Sequence, residues 1–105
     1  MSTSATGVDA VTATGVDAVL DRAWGLAPQV AVRREAFGGL LYHFGTRRLS
    51  FLKDPRLLSI VERLDDAPSA RAACAVAGLD DAALPAYGRA LARLADTDML
   101  RERSR

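Results

Sequence analysis

Cysteine is nearly absent from the chain. Cys74 stands alone, which excludes an internal disulfide, and with His43 the single histidine no Cys/His grouping has metal-site spacing. Long apolar runs are missing too. No segment approaches the roughly 18 apolar residues of a membrane-spanning helix, and no basic stretch followed by an apolar core opens the chain. The expectation is a reduced, cytoplasmic protein with no membrane partner. Neither sign of charge prevails: 14 Lys and Arg stand against 13 Asp and Glu, a net charge of +1. That balance argues against a protein built to coat nucleic acid or anionic membrane.

Catalytic groupings are also lacking. His43 lies mid-strand between Tyr42 and Phe44, the setting of a structural histidine, and Cys74 sits in an alanine-rich helix with no cation beside it in sequence. Asp65-Asp66 and Asp80-Asp81 fall at helix ends, where carboxylates complement exposed N–H groups. Gly38-Gly39 turns into a strand and lacks the lysine and helix of a phosphate loop. The chain is therefore expected not to be an enzyme and to need no cofactor.

What is present is enough for one small core. The segment "ATGVDAV" occurs at Ala5–Val11 and again at Ala13–Val19, and its short, Gly- and Thr-interrupted apolar residues predict a disordered tail over residues 1–16. Residues 17–100 form the domain and 101–105 a solvated end. Val16, Val19, Leu20, Ala23 and Trp24 recur at helical spacing, with Gly25 as a stop. "QVAVR" alternates like a strand. The stretch Gly38–Pro55 then reads as a hairpin feeding a helix, with Gly45 as its corner and Thr46-Arg47 as its tip. This pairs Phe44 with Leu49, Tyr42 with Phe51 and Leu40 with Lys53 on one inward apolar face. Leu41, His43, Ser50 and Leu52 take the other, half-wet face.

Asp54-Pro55 caps a helix running to about Asp65, and a second helix, "ARAACAVA", ends at Gly78. A third, from about Ala82 to Ala95, carries the stripe Leu84, Tyr87, Leu91 and Leu94. The fold class is α+β: a three-stranded antiparallel sheet on three helices, winged-helix in outline, with a short N-terminal helix. That outline raises a DNA-binding regulator as the alternative. Its reading helix would expose only Arg89 and Arg93, however, which weighs against nucleic acid as a partner.

The last strand, "RLSFL", pairs on one side only. An exposed apolar edge invites another chain, and Tyr87, Leu91 and Leu94 of the third helix are the residues best placed to stand beside it. Backbone on one wall and an apolar helix on the other suit an extended peptide. The same edge also allows a homodimer.

At these residues a family resemblance enters. Pro28–Leu64, and above all "FGxLxYHFGxRRLxFLKxP" at Phe37–Pro55, resembles the peptide chaperone of mycofactocin biosynthesis. That family consists of precursor-peptide recognition domains and is similar to the chaperone of pyrroloquinoline quinone synthesis. The resemblance implies that a precursor peptide's leader adds as a strand beside the last strand and is presented to a radical S-adenosylmethionine maturase. Mapped here, the binding residues are Arg48, Leu49, Ser50, Phe51 and Leu52, facing Tyr87, Ala90, Leu91 and Leu94. Arg33, Arg34, Arg47 and Arg48 make the hairpin side basic, suited to docking the maturase or steering an acidic peptide. Ser50→Pro is expected to remove a strand N–H and weaken peptide binding with little unfolding.

Overall fold

A computed structural model describes residues 14–103 of the chain. Of the tail expected over residues 1–16, residues 1–13 lie outside the described residues, and Thr14–Val16 are helical and open the first helix. In chain order the elements are α1 (Thr14–Leu20), β1 (Trp24–Leu26), β2 (Val30–Glu35), β3 (Gly38–His43), β4 (Arg48–Leu52), α2 (Pro55–Arg63), α3 (Ala70–Val76), α4 (Leu84–Asp96) and β5 (Leu100–Glu102). Single 3₁₀ turns follow α2 at Leu64–Asp66 and precede α4 at Asp81–Ala83. The class is the expected one, α+β with an antiparallel sheet ordered β2-β3-β4.

Local chemistry explains the helix ends. Asp54 Oδ1 accepts from the Arg56 amide at 2.8 Å, with Pro55 in the first turn where no N–H is missed. Ser69 Oγ accepts from the Ala72 amide at 3.1 Å and opens α3. At the far end of α3, Gly78 takes φ +89° while its amide reaches the Ala75 carbonyl and Leu79 N–H reaches that of Cys74. This paired reversal satisfies two orphan carbonyls, and its left-handed residue is a glycine because a Cβ there is strained.

One core cluster unites the layers. Leu41 and Leu52 from the sheet meet Leu58, Ile60 and Val61 of α2, Cys74 of α3, Leu91 and Leu94 of α4, and Val16 and Leu20 of α1. α1 lies against α4 at Gly88, where an added Cβ would come within 2.7 Å of a Val16 methyl. Gly88→Val should therefore cost about 1–3 kcal/mol through overpacking, although it removes a helix-interior glycine. Urea unfolding checks this, and an unchanged midpoint would mean that α1 does not seat there.

Three expectations need correcting. The first helix stops at Leu20 instead of continuing to Trp24, because Trp24–Leu26 pairs antiparallel with Leu100–Glu102 at the other end of the chain. The Trp24 indole instead donates to the Val19 carbonyl at 2.9 Å, closing α1 from outside. Arg101 and Glu102 are exposed, yet their backbone completes this second sheet. Beyond it, the Arg103 guanidinium donates to the carbonyls of Trp24, Asp65 and Ala67, tying β1 to the turn after α2.

The hairpin register also differs. Tyr42 faces Leu49 and Leu40 faces Phe51, two residues away from the expected pairing, because the loop has four residues, Phe44–Arg47. Arg47, not Gly45, takes the left-handed corner at φ 63°, and its amide donates to the His43 carbonyl at 2.7 Å. Inside the loop, His43 Nδ1 accepts the amides of Gly45 and Thr46 at 3.0 and 3.1 Å. Gly45 serves close approach instead: a Cβ there would lie 2.2 Å from Gln29 Oε1.

Finally, the two sheet faces are exchanged. Leu41, His43 and Leu52 are buried at 0, 8 and 3 % exposure, whereas Leu49 and Phe51 are 51 and 59 % exposed. The expected grouping of side chains by face is right, but the core lies on the other side.

Candidate peptide-binding site

Among the described residues, β4 has β3 on one side and no strand on the other. Which of its backbone groups are free follows from one bond. The Phe44 amide donates to the Gln29 carbonyl at 2.8 Å, one residue beyond the Val30–His43 pair. Val30–His43 is therefore a pair without mutual bonds, and His43 directs its own backbone N–H and C=O toward β4. Alternation along the ladder then makes His43–Arg48, Leu41–Ser50 and Gly39–Leu52 the bonded pairs with β4. Leu49 and Phe51 consequently direct their N–H and C=O outward. These two amides and two carbonyls are the outward-facing backbone groups of the edge. Ser50, expected to offer its N–H to a ligand, spends it on β3.

Beside this edge runs a groove of about 300 Å³, lined by Ser50, Phe51, Leu52, Leu57, Ala90, Arg93, Leu94 and Thr97. Of the residues expected to bind, it gathers Ser50, Phe51, Leu52, Ala90 and Leu94. Leu49 and Arg48 share the strand but not the groove: Leu49 is on the outer face, and Arg48 is exposed at the strand's start. Leu91 is wholly buried. Tyr87 lies outside the groove, donating its hydroxyl to Asp54 Oδ2. Three lining residues escaped the sequence reading. Arg93 is one turn from Ala90, a spacing that could have revealed it. Leu57 comes from α2, and Thr97 follows the end of α4, where its hydroxyl donates to the Arg93 and Leu94 carbonyls. Arg93 makes no ion pair among the described residues.

Of the other cations considered, Arg34 is engaged by Glu62 at 2.5 Å and Arg33 lies 3.5 Å from Glu35. Arg47 is exposed in the hairpin loop. A larger cleft, about 390 Å³, lies among Gln29, His43, Asp98 and Arg101, and it shares no lining residue with the β4 groove.

The Tyr87–Asp54 contact joins α4 to the cap of α2. Partial burial acts to raise the Asp54 carboxyl, but the Tyr87 hydroxyl and the amides of Arg56 and Leu57 outweigh it, and the carboxyl titrates below its usual 3.8. The same bond, with some desolvation, raises the Tyr87 phenol above 10.0. A lowered carboxyl contributes stability above about pH 4 that is lost as pH falls through its folded value, and a raised phenol contributes stability below about pH 10 that is lost on further rise. Tyr87→Phe should cost about 0.5–1 kcal/mol near neutrality, with both groups partly solvated, and should blunt the alkaline limb. Thermal melts across pH check this, and an unchanged alkaline limb would remove Tyr87 as its source. Burial raises the Cys74 thiol, with Arg71 opposing weakly, which leaves it a core residue. Among the described residues no group of three or more His, Cys, Asp or Glu is placed to hold a metal ion. None of their helices is long and apolar enough to cross a membrane.

The model of the peptide chaperone MftB family matches residues 23–101, from β1 into β5. The chain belongs to the peptide chaperone MftB family. Peptide chaperone MftB of Mycobacterium tuberculosis is 56 % identical over 80 residues, covering 76 % of this chain and 73 % of the relative. Those of Mycobacterium ulcerans and Mycolicibacterium smegmatis are 55 and 50 % identical over the same length, covering 73 and 78 % of the relatives. No solved structure matches. The MftB match takes in the β4 edge, the groove and the whole three-stranded sheet, and leaves out α1.

Proposed function

We propose that this chain is a non-catalytic, cytoplasmic peptide chaperone of mycofactocin biosynthesis. In this reading it binds the leader of a short ribosomal precursor peptide by β-strand addition at β4 and presents it to a radical S-adenosylmethionine maturase. The observation that carries this reading is the free edge of β4, with docking groups at Leu49 and Phe51 beside an apolar groove against α4. The names of the relatives support a peptide as the occupant.

Main-chain bonds at Leu49 and Phe51 supply affinity independent of sequence, and alternate peptide side chains enter the groove. There Leu52, Leu57, Ala90 and Leu94 favour apolar groups, while the Arg93 guanidinium, without an ion pair among the described residues, favours a carboxylate. The edge is ready before binding, so most of the ordering cost falls on the peptide. Tethering then raises the effective concentration of the modifiable end near the maturase, whose iron–sulfur chemistry asks no cofactor of the chaperone. The DNA-binding alternative loses Arg93, half of its meagre reading surface, to the groove.

A titration of the full chain with its candidate precursor peptide, followed by backbone amide NMR, tests the reading. Shifts should concentrate at Leu49 and Phe51 and over Ala90–Thr97, at micromolar affinity or tighter, on the order of −8 kcal/mol. Absence of shifts would overturn strand addition. Concentration-dependent shifts at β4 without peptide would assign the edge to a second copy.

A further inference from the structure

The outer face of the β2-β3-β4 sheet is the most anomalous surface of the domain. Among the described residues, Phe37, Phe44, Leu49, Phe51 and Val76 are the exposed large apolar side chains, and all but Val76 lie on this face. The Phe37 and Phe51 rings are 6.1 Å apart, and Phe44 meets the half-buried Tyr42 edge-on at 5.3 Å. Tyr42 and Leu40 continue the patch along β3, paired with Leu49 and Phe51. A contiguous apolar patch on a small domain marks an interaction surface.

A peptide at the β4 edge cannot cover it. Strand addition occurs in the plane of the sheet, so alternate side chains of the added strand come to lie beside Leu49 and Phe51 on this same face. Loading therefore widens the patch. Its margins carry Arg33, whose side chain is 74 % exposed although it lies 3.5 Å from Glu35, together with the exposed Arg47 and Lys53. Two copies stacked about a twofold would oppose these cations to each other, which disfavours self-association.

We infer that this face docks a globular protein presenting an apolar patch with an acidic margin, the protein that receives the loaded chaperone and reads chaperone and peptide as one composite surface. The inference rests on the reading of β4 as the peptide slot. Because the peptide's outward side chains join the contact, peptide and receiving protein each tighten the other's binding by the same factor.

The test uses Arg33→Glu combined with Phe44→Ser, and each change alone, in the full chain. Both positions lie off the β4 edge and outside the groove. The probe is the purified radical S-adenosylmethionine maturase, titrated with and without precursor peptide, with peptide affinity and sedimentation measured in parallel. Wild type should bind the maturase several-fold more tightly when loaded. The double variant should lose at least tenfold in maturase affinity and keep peptide affinity within twofold. Unchanged maturase binding by any folded variant, or no maturase binding by wild type, would overturn the proposal. So would a wild-type dimer that the variants dissociate, since the occupant would then be a second copy. If the peptide fails to bind wild type, the β4 reading falls by itself, and loss of empty-chaperone docking in the variants still supports the face.

Discussion

Leu41→Ala is expected to lower the unfolding free energy by about 2–5 kcal/mol, and Leu49→Ala by less than about 0.5 kcal/mol. The two leucines lie on adjacent strands but on opposite faces. Leu41 has no exposed surface and contacts the helices, so its truncation leaves a cavity as well as losing transfer energy. Leu49 is half exposed, and its loss uncovers little. Urea denaturation of both variants decides which face is the core. Equal costs, or a larger cost at Leu49, would overturn the assignment and restore the inward aromatic face expected from the sequence.

The second large effect separates neighbouring residues of one strand. Phe51→Pro should weaken peptide binding at least tenfold, about 1.4 kcal/mol, while the domain stays folded. Proline removes an outward N–H on an edge strand, a position that tolerates it. Phe51→Ala serves as control, because it removes the same ring and keeps the amide. Ser50→Pro should destabilise the domain by about 2–4 kcal/mol, since its N–H belongs to the ladder with Leu41. This reverses the expectation drawn from sequence, where Ser50 was the clean probe. Isothermal titration and thermal melts measure both arms. A folded Ser50→Pro domain that fails to bind peptide would mean that the alternation along β4 is opposite to the one derived.

These variants also show what could be read in advance. Asp54-Pro55 and Gly78 announced helix ends because capping is local chemistry, complete within four residues. Side-chain grouping by sheet face was equally legible, because it needs only a period of two. The choice of buried face was not. Aromatic size suggested the core, whereas the three aliphatic-rich helices already fill it. The overlooked signal was Gly39, on the Leu41 face, where an added Cβ would meet Leu58 at 2.7 Å. The two-residue register error came from His43, whose ring closes a longer loop than Thr46-Arg47 implied. At the site, the edge strand and Leu94 were foreseeable from periodicity, whereas Ala90 followed only from the family resemblance. Leu57 and Thr97 were not, because they come from elements that meet the groove only after the helices have packed.

The pairing of Trp24–Leu26 with Leu100–Glu102 sets an order of events during synthesis. β1 is among the first segments of the domain to leave the ribosome, and its partner is the last. Neither ladder bond nor the Arg103 clasp can form while the C-terminal residues are still being added. The sheet and its hairpin, built from neighbours in sequence, have no such wait. A nascent chain therefore holds its hairpin sheet before β1 has a partner, and in that interval the unpaired β1 backbone is the edge that only the final strand can close.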